Sequence, residues 1–420
     1  MLLPPDLREW VADNELARFV IEAVELSDLS AAQLNLRGTG SEQYPPGMML
    51  GLLIYCYATG LFSSRRIERA TYDSVAVRYL CGNEHPDHDT IASFRRRNAA
   101  LVRAVFVRVL ELAREVGLLR MGTVSIDGTK LAGSASKRAT VSARELEARL
   151  GALGKQVDQR LGEAEAADQG EQEDPGALPA ELSDRATRRA KLLAAKQVLH
   201  AREQARAERI KAGEQQDSRK ANSRGPQVNL NDPESGLMAA SGGHFVQGYN
   251  AQAVVDAEGS RLILGARVSQ ESNDRRELAA DVEAIPPELG QPTAVLADSG
   301  YDHSGQIEAV QARTGALVYC PPQASRQAAK AAGAKHWRNA ARRKVNEARA
   351  LMRARLESAQ GRSLYARRQV VSEPVFAALK NVLGFRRFNM RGLKKAELEW
   401  QLVSLAYNCR ILSSKIMGHK

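Results

Sequence analysis

The stretch Ala294-Val-Leu-Ala-Asp298-Ser-Gly-Tyr301 places a carboxylate at the end of a short apolar run. A second run, Val124-Ser-Ile126, ends in the same way at Asp127. Short apolar runs are typical of buried strands, and a charged residue that ends a strand can emerge at the edge of a sheet and stay ionised there. The two runs therefore predict an α/β fold whose sheet presents two carboxylates to a cleft.

A third carboxylate, Glu373, follows Tyr365-Ala-Arg-Arg-Gln-Val-Val-Ser372 inside a predicted basic helix. If the three groups converge, they repel one another unless a cation lies between them. Oxygen ligands in an incomplete shell suit hexacoordinate Mg²⁺, which keeps positions for water and phosphate. Taken singly, each residue also has a structural explanation, because such an Asp often forms a turn and a Glu near a helix start suits the helix dipole.

These residues resemble the DDE transposases of bacterial insertion sequences, and within them the insertion-sequence 1182 family of the larger insertion-sequence 4/5 grouping. That grouping carries a Tyr-x2-Arg-x3-Glu-x6-Lys signature. Tyr365, Arg368, Glu373 and Lys380 fit it, except that four residues instead of three separate Arg368 from Glu373. Further similar blocks lie along nearly the whole chain: Tyr44-Pro-Pro-Gly-Met-Met-Leu, Ser63-Ser-Arg-Arg-Ile-Glu-Arg, Pro86-Asp-His-Asp-Thr-Ile-Ala-Ser-Phe-Arg, Gly248-Tyr-Asn-Ala-Gln-Ala-Val-Val-Asp and Gly384-Phe-Arg-Arg-Phe.

The resemblance implies a transposase that binds the terminal inverted repeats of its element, cleaves the DNA ends and transfers them to target DNA. Asp127, Asp298 and Glu373 would be both catalytic residues and ligands of Mg²⁺, for which Mn²⁺ can substitute. In two-metal catalysis one ion activates the attacking oxygen and the other stabilises the departing one. Tyr365, Arg368 and Lys380 would contact phosphates of the element ends. The implied partner is double-stranded DNA, bound by a dimer, with no membrane involved.

The positive charge of the chain is concentrated near Glu373. The 420 residues carry a net charge of +11, and residues 321–395 alone hold 19 Lys and Arg against three acids. A local excess of this size favours a track for a DNA backbone that includes Arg386, Arg387 and Arg391. The alternative is a solvated basic surface.

Residues 1–118 are predicted to be all-helical, and the resemblance implies that they form an N-terminal DNA-binding domain. Met48–Ala58 follows Pro45 and Pro46 as a core helix, Ser63 is a candidate N-cap, and Asp89 is predicted to cap the next helix. The candidates for DNA contact are Arg65, Arg66, Arg95 and Arg96. These arginines could instead belong to ordinary solvated helix faces.

The remaining chain predicts a ribonuclease-H-like catalytic core that is interrupted by a helical insertion after the first strand. Residues 119–140 form its first part, and residues 241–420 its remainder with basic C-terminal helices. Residues 141–240 form a charged helical hairpin and a polar linker, with 13 acids and 13 bases over residues 141–212. The order after the insertion is two hairpin strands, helix, strand, helix, strand: 247–256, 261–268, 278–285, 293–298, 304–314 and 316–320.

Several other functions are excluded or left as alternatives. The four cysteines form no CxxC pair and share no metal-ligand spacing with the seven histidines, so a zinc site or disulfide framework is not expected. No signal pattern or long apolar run is present, and we expect a cytoplasmic, nucleoid-associated protein.

A host Mg²⁺-dependent nuclease of the same fold and a non-catalytic DNA-binding protein, such as a decayed transposase, remain as alternatives. His336 and Trp337 could stack on an extruded base, but we interpret them as ordinary surface residues. Asn250 and Gln252 are interpreted as hydrogen-bonded sheet residues.

Overall fold

A computed structural model describes residues 6–33, 43–167, 180–211, 227–240, 243–323 and 339–418. His336, Trp337 and the predicted break in the helical hairpin after Ala167 lie outside these residues. By its internal contacts the chain divides into two compact units. The first comprises Met1–Leu131, Asn250–Met390 and Lys394–Lys420, and the second comprises Ala132–Tyr249 and Arg391–Leu393.

The first unit begins with the predicted helices. They are α1 (Leu16–Glu25), α2 (Pro46–Ala58), α3 (Ser64–Asp73), α4 (Val75–Leu80), α5 (His88–Arg97) and α6 (Ala99–Glu115). Helix α2 starts with proline at its first position and is buried along nearly its whole length. The predicted cap of α5 is wrong by two residues, since the carboxylate of Asp87 accepts the backbone N–H groups of Asp89 and Thr90.

A mixed sheet follows the helices, with strands β1 (Thr123–Ala132), β5 (Phe245–Asp256), β6 (Ile263–Ser269), β7 (Ala294–Leu296) and β8 (Leu317–Tyr319). Their spatial order is β6-β5-β1-β7-β8. Strands β5 and β6 are antiparallel, whereas β7 is parallel to both β1 and β8. Ser125 of β1 is paired with Leu296 of β7, and Asp127 and Asp298 each lie two residues further along. Parallel pairing thus brings both carboxylates to the same end of β7. The prediction that Asp127 ends its strand is wrong, because β1 continues to Ala132.

Helices connect and follow these strands in the predicted order. Helix α9 (Leu278–Glu283) lies between β6 and β7, and α10 (Ser304–Thr314) between β7 and β8. Then come α11 (Asn339–Glu357), α12 (Ala359–Ala377), a π-helical turn (Ala378–Val382) and α13 (Leu393–Ile416). Helix α13 is largely buried, and Trp400 donates its indole N–H to the backbone carbonyl of Gln252. Among the described residues, no helix is long and apolar enough to cross a membrane.

The second unit contains the predicted helical hairpin. Its helices are α7 (Ala143–Ala167) and α8 (Ala180–Lys211), and a leucine-rich core forms between them around Leu146, Leu153, Leu192 and Leu199. Three short strands, β2 (Thr140–Ser142), β3 (Gln227–Asn229) and β4 (Gly236–Ala239), also lie here. Strand β2 pairs with β3, and β4 pairs with the first residues of β5. The polar linker predicted before residue 240 therefore contains two strands, which were missed because they are only three and four residues long.

Candidate active site

Asp127 and Asp298 face one shared cation, the guanidinium of Arg368 on α12. One terminal nitrogen of Arg368 lies 3.6 Å from Oδ2 of Asp127 and 3.7 Å from Oδ2 of Asp298. The side chains of Arg368 and Asp127 are 13% and 19% exposed, whereas that of Asp298 is 40% exposed. The site is therefore a carboxylate pair at the end of β7, half-buried on the Asp127 side and open on the Asp298 side.

Each carboxylate accepts a hydrogen bond from a nearby backbone N–H group, which belongs to the next residue of β1 for Asp127 and to the 3-10 turn Ser299–Tyr301 for Asp298. Oδ1 of Asp127 accepts from the N–H of Gly128 at 2.9 Å, and Oδ1 of Asp298 accepts from the N–H of Gly300 at 2.7 Å. Burial raises the pKa of Asp127 to about 6, although Arg368 and the Gly128 N–H oppose the increase and the charge of Asp298 adds to it. The remaining Oδ2 atoms are the ones directed towards the shared cation.

Helix α12 places Glu373 differently from the predicted convergent triad. Arg368 and Ser372, four residues apart, share one helix face, and the Ser372 hydroxyl lies 2.8 Å from that of Ser125 in β1. Glu373 is one position further and is exposed. The extra residue between Arg368 and Glu373 therefore puts a serine on the face that the signature spacing would give to the glutamate. The structure brings Asp127 and Asp298 together, and it leaves Glu373 on the exposed side of α12.

Lys380 and Tyr365 are both half-buried. The Lys380 ammonium donates to the hydroxyl of Thr129 in β1 and is half-buried, and burial lowers its pKa. Glu373 and Lys380, which are predicted to share one face, differ in exposure, and the π-helical turn at Ala378–Val382 departs from the α-helical spacing on which that prediction rests. The ring of Tyr365 is half-buried, and burial raises the pKa of its hydroxyl.

A second carboxylate centre, built around Asp274, was missed in the sequence. Its carboxylate accepts from the Lys130 ammonium at 2.9 Å and from the side-chain amides of Asn250 and Gln252, each at 2.7 Å. The Gln252 amide oxygen in turn accepts from the Tyr301 hydroxyl. The one sequence signal for this centre is that Asn250 and Gln252 occupy alternate positions of an otherwise apolar strand. This pattern predicts that the two side chains form hydrogen bonds, but it does not identify Asp274 as their partner.

Gly128 permits the close approach of this second centre to β1. A Cβ at this position would lie 2.4 Å from the Gln252 amide nitrogen and 2.8 Å from a carboxylate oxygen of Asp274. Because both distances are shorter than any normal contact, a side chain would force either the strand or the amide to move. The residue directly after Asp127 is therefore glycine for a packing reason.

Of the four N-terminal arginines that are candidates for DNA contact, one is buried and three are exposed. Arg95 is only 6% exposed and donates to the Tyr57 hydroxyl at 2.7 Å and to the Phe62 carbonyl at 2.9 Å. The prediction that Arg95 contacts DNA is therefore wrong, since its guanidinium is used inside the helical core. Arg65, Arg66 and Arg96 are exposed, as a DNA contact requires.

The C-terminal candidates are all exposed. Arg386 donates to the Lys380 carbonyl and the Asn381 side chain, which fixes its guanidinium beside the π-helical turn. Arg387 is also exposed in the first unit. Arg391 belongs to the second unit, where its Nε donates to the Ser134 carbonyl at 3.0 Å. These positions suit contacts with an external anion.

The carboxylate pair suits a hard divalent cation. Its donors are oxygens only, and both already face a common positive charge. Within the described ranges, however, no three His, Cys, Asp or Glu side chains come close enough to hold a metal ion by themselves. Asp127 and Asp298 would thus supply two ligands, and the other positions would belong to Glu373 after a side-chain movement, to water or to phosphate oxygens.

Two protein-family models match the chain. The Transposase DDE domain matches residues 207–409, a segment that contains Asp298, Arg368 and Glu373, while Asp127 lies before it. The Transposase domain (DUF772) matches residues 5–97, which include α1–α5. No curated protein and no solved structure matches the chain significantly. The two matches, with the paired aspartates at the end of β7, support a transposase of the DDE type that belongs to an insertion sequence.

Proposed function

We propose that this protein is a Mg²⁺-dependent DDE transposase of the insertion-sequence 1182 type, which cleaves the ends of its element and joins them to target DNA. The observation that carries the proposal is the meeting of Asp127 and Asp298, from neighbouring parallel strands, at one cation. The strand order β6-β5-β1-β7-β8, with β7 and β8 parallel to β1, supports a ribonuclease-H-like core.

The chain's own residues would hold and orient the reacting groups. Asp127 and Asp298 would bind the metal ions, which supply charge neutralisation for attack on an anionic phosphate and activation of the attacking oxygen. Glu373 on the exposed flank of α12 would complete the ligand set. Lys380, anchored near β1, and Tyr365 would position the phosphate of the element end, since alignment of one phosphate lowers the entropic part of the barrier.

The exposed basic residues would hold the DNA backbone. Arg65, Arg66 and Arg96 would contact DNA from the N-terminal helices, and Arg386, Arg387 and Arg391 from the C-terminal part. Such contacts set affinity and orientation and carry little sequence information. The partner would be the terminal inverted repeat together with target DNA, held by a dimer and acting at the nucleoid in the cytoplasm.

Three single substitutions test the proposal: Asp127→Asn, Asp298→Asn and Glu373→Gln. Each is expected to lower single-turnover cleavage of inverted-repeat DNA by roughly a thousandfold, because loss of one ligand charge disables metal placement. Binding of the same DNA, measured by fluorescence anisotropy, should stay within about twofold of wild type, because the phosphate contacts are elsewhere. Cleavage near the wild-type rate in any of the three variants would remove that residue from the site.

A joining assay separates the transposase from the nuclease alternative. Cleaved ends are incubated with a supercoiled target plasmid, and joined products are counted. We expect joined ends, and their loss in Asp298→Asn. Hydrolysis without joining would favour a host nuclease, and binding with neither reaction would favour a non-catalytic DNA-binding protein.

The salt dependence of DNA binding tests the basic track. Neutralisation of Arg386 and Arg387 to Gln should flatten the plot of log K against log[salt] by about one unit for each lost phosphate contact. Arg188 and Arg189 on α8 serve as the matched control, because they are also exposed but lie in the charge-balanced hairpin. An unchanged slope in the Arg386 and Arg387 variant would mean that these residues form only a solvated surface.

A further inference from the structure

We infer that Arg368 is an exchangeable counter-ion, which occupies the cation position between Asp127 and Asp298 in the free protein and leaves it when a metal ion binds. This inference rests on the proposed function, because it concerns the same carboxylates. Its basis is that one nitrogen lies within 3.7 Å of an oxygen of each aspartate, at the place where both carboxylates can share a charge.

Arg368 lies further from its carboxylates than two other half-buried cations of the first unit lie from theirs. The distance from its terminal nitrogen to each carboxylate exceeds the 2.7–2.9 Å of a good charge-assisted hydrogen bond. By contrast, Arg349 lies 2.9 Å from Asp302, and Lys130 lies 2.9 Å from Asp274. Arg368 therefore neutralises the pair without being locked to either member.

The guanidinium also leaves one of its donors unused. Nε of Arg368 is buried and has no hydrogen-bond partner among the described residues. A buried donor without a partner costs free energy. Hydrogen bonds from Nε therefore do not fix the guanidinium in this position. The charge of the two aspartates is what keeps the guanidinium there.

A metal ion and Arg368 cannot use the same two oxygens at once. An ion that binds the two Oδ2 atoms would lie next to the guanidinium of Arg368. Because two adjacent positive charges repel strongly in a partly buried site, binding of the ion would displace the guanidinium. The released side chain is planar and permanently charged, which suits a phosphate oxygen. Arg368 would therefore neutralise the carboxylates before the metal arrives and be available to the DNA afterwards.

Metal affinity measures this competition directly. Mn²⁺ binding to the full chain, without DNA, is followed by isothermal titration and by the electron paramagnetic resonance signal of free Mn²⁺. Arg368→Gln should bind Mn²⁺ roughly tenfold more tightly than wild type, since removal of the competitor raises the fraction of protein that can accept the ion. Arg367→Gln is the matched control, because Arg367 is the neighbouring residue on α12 and contacts Glu258 instead. Equal or weaker Mn²⁺ binding in Arg368→Gln would overturn the inference.

A second measurement uses the unaltered protein, in case Arg368→Gln does not fold. The wild-type chain is treated with phenylglyoxal, which modifies accessible guanidinium groups, and modification at Arg368 is quantified by mass spectrometry with and without Mn²⁺. We expect Mn²⁺ to accelerate modification of Arg368 several-fold and to leave Arg367 unchanged. A rate at Arg368 that is unchanged or slower with Mn²⁺ would overturn the inference.

The same titration separates this inference from the proposed function. Asp127→Asn and Asp298→Asn should each weaken Mn²⁺ binding strongly. If both variants bind Mn²⁺ like wild type, the metal site itself is wrong and the proposed function fails with it. If they lose binding but Arg368→Gln gains none, only the exchange is wrong.

Discussion

Two carboxylate centres adjoin β1, and they are neutralised in opposite ways. Asp274 receives one ammonium and two amide donors, from Lys130, Asn250 and Gln252, all at 2.9 Å or less. Asp127 and Asp298 receive one backbone N–H each and share a guanidinium at 3.6 and 3.7 Å. The first centre is hydrogen-bonded from several sides, and the second keeps free acceptor capacity.

This difference in hydrogen bonding indicates different roles. Asp274 stabilises the fold, whereas Asp127 and Asp298 are available to a ligand. A carboxylate with several short hydrogen bonds gains little from a metal ion, because it would have to give up partners. A partly buried pair with one loose counter-ion is unfavourable by itself, as the raised pKa of Asp127 shows. Functional sites commonly contain charged groups whose burial is unfavourable until a ligand of opposite charge binds.

The largest effect on stability should follow truncation of the satisfied carboxylate. Asp274→Ala leaves the Lys130 ammonium, which is only 13% exposed, without its counter-ion and two buried amides without their acceptor. We expect the free energy of unfolding to fall by about 3 kcal/mol, measured by urea denaturation in EDTA at pH 7.

The matched variant, Asp127→Ala, should change the free energy of unfolding by less than about 1 kcal/mol. Its folded pKa is raised to about 6, so the ionised side chain contributes no net stability at pH 7. If Asp127→Ala destabilised the protein as much as Asp274→Ala, the two centres would not differ in the way described.

A smaller loss is expected from Gly128→Ala, which pushes the two centres apart. The new methyl group would meet the Gln252 amide nitrogen at 2.4 Å, so we expect a cost of about 2 kcal/mol from overpacking. Because the displaced residue adjoins Asp127, cleavage should fall as well. Gly151→Ala is the control, since nothing lies within 4 Å of its Cβ in α7 and alanine should stabilise the helix slightly. Unchanged stability in Gly128→Ala would mean that the close approach is unimportant.

A third carboxylate, Asp281, extends the comparison between well-satisfied and poorly satisfied carboxylates. Its contribution to the free energy of unfolding should depend on pH. Its side chain is fully buried, Oδ1 accepts from Arg267 at 3.2 Å, and Oδ2 has no partner among the described residues. Burial raises the pKa of Asp281 well above its usual value, and the nearby charge of Arg267 only partly opposes the increase. Burial lowers the pKa of Arg267, but the charges of Asp281 and Glu277 outweigh it and raise that pKa, so the guanidinium attracts both carboxylates; for Asp281, desolvation is still the larger effect.

The sign of the pH effect follows from that direction. A folded pKa above the unfolded one contributes stability that is complete below pH about 3.8 and is lost as pH rises through the folded pKa. Asp281→Asn should therefore gain about 1 kcal/mol over wild type between pH 4 and pH 7, measured by urea denaturation. Asp13→Asn is the control, since that side chain is fully exposed and should show no such change. A wild type that is more stable than Asp281→Asn at pH 7 would show that the ion pair with Arg267 dominates.

The sequence predicts most of the sheet because its signals are local. The runs before Asp127 and Asp298 are apolar, and helix α10 was predicted with its observed bounds, Ser304–Thr314. Partners from distant parts of the chain were not predictable. Arg95 forms a hydrogen bond with Tyr57, 38 residues away, and is buried, although its sequence neighbours Arg96 and Arg97 are exposed.

The candidate site shows the same limit. That two aspartates lie together follows from parallel pairing, which the order of elements indicates. The direction of Glu373 depends on one extra residue after Arg368, and the position of Lys380 depends on a π-helical turn that no local composition marks. The Asp274 centre joins β1, β5 and the segment after β6, so its partners become visible only when those strands are paired.

The central claim, that the paired aspartates bind the catalytic metal, is tested most directly by exchanging an oxygen ligand for sulfur. Asp298→Cys is assayed for single-turnover cleavage of inverted-repeat DNA in Mg²⁺ and in Mn²⁺ under reducing conditions. Mg²⁺ requires oxygen ligands, whereas Mn²⁺ accepts softer ones more readily. We predict that cleavage is lost in Mg²⁺ and recovers by at least roughly tenfold in Mn²⁺, while the wild type is active in both. Equal cleavage in the two metals, or no recovery in Mn²⁺, would contradict a direct role of Asp298 as a metal ligand.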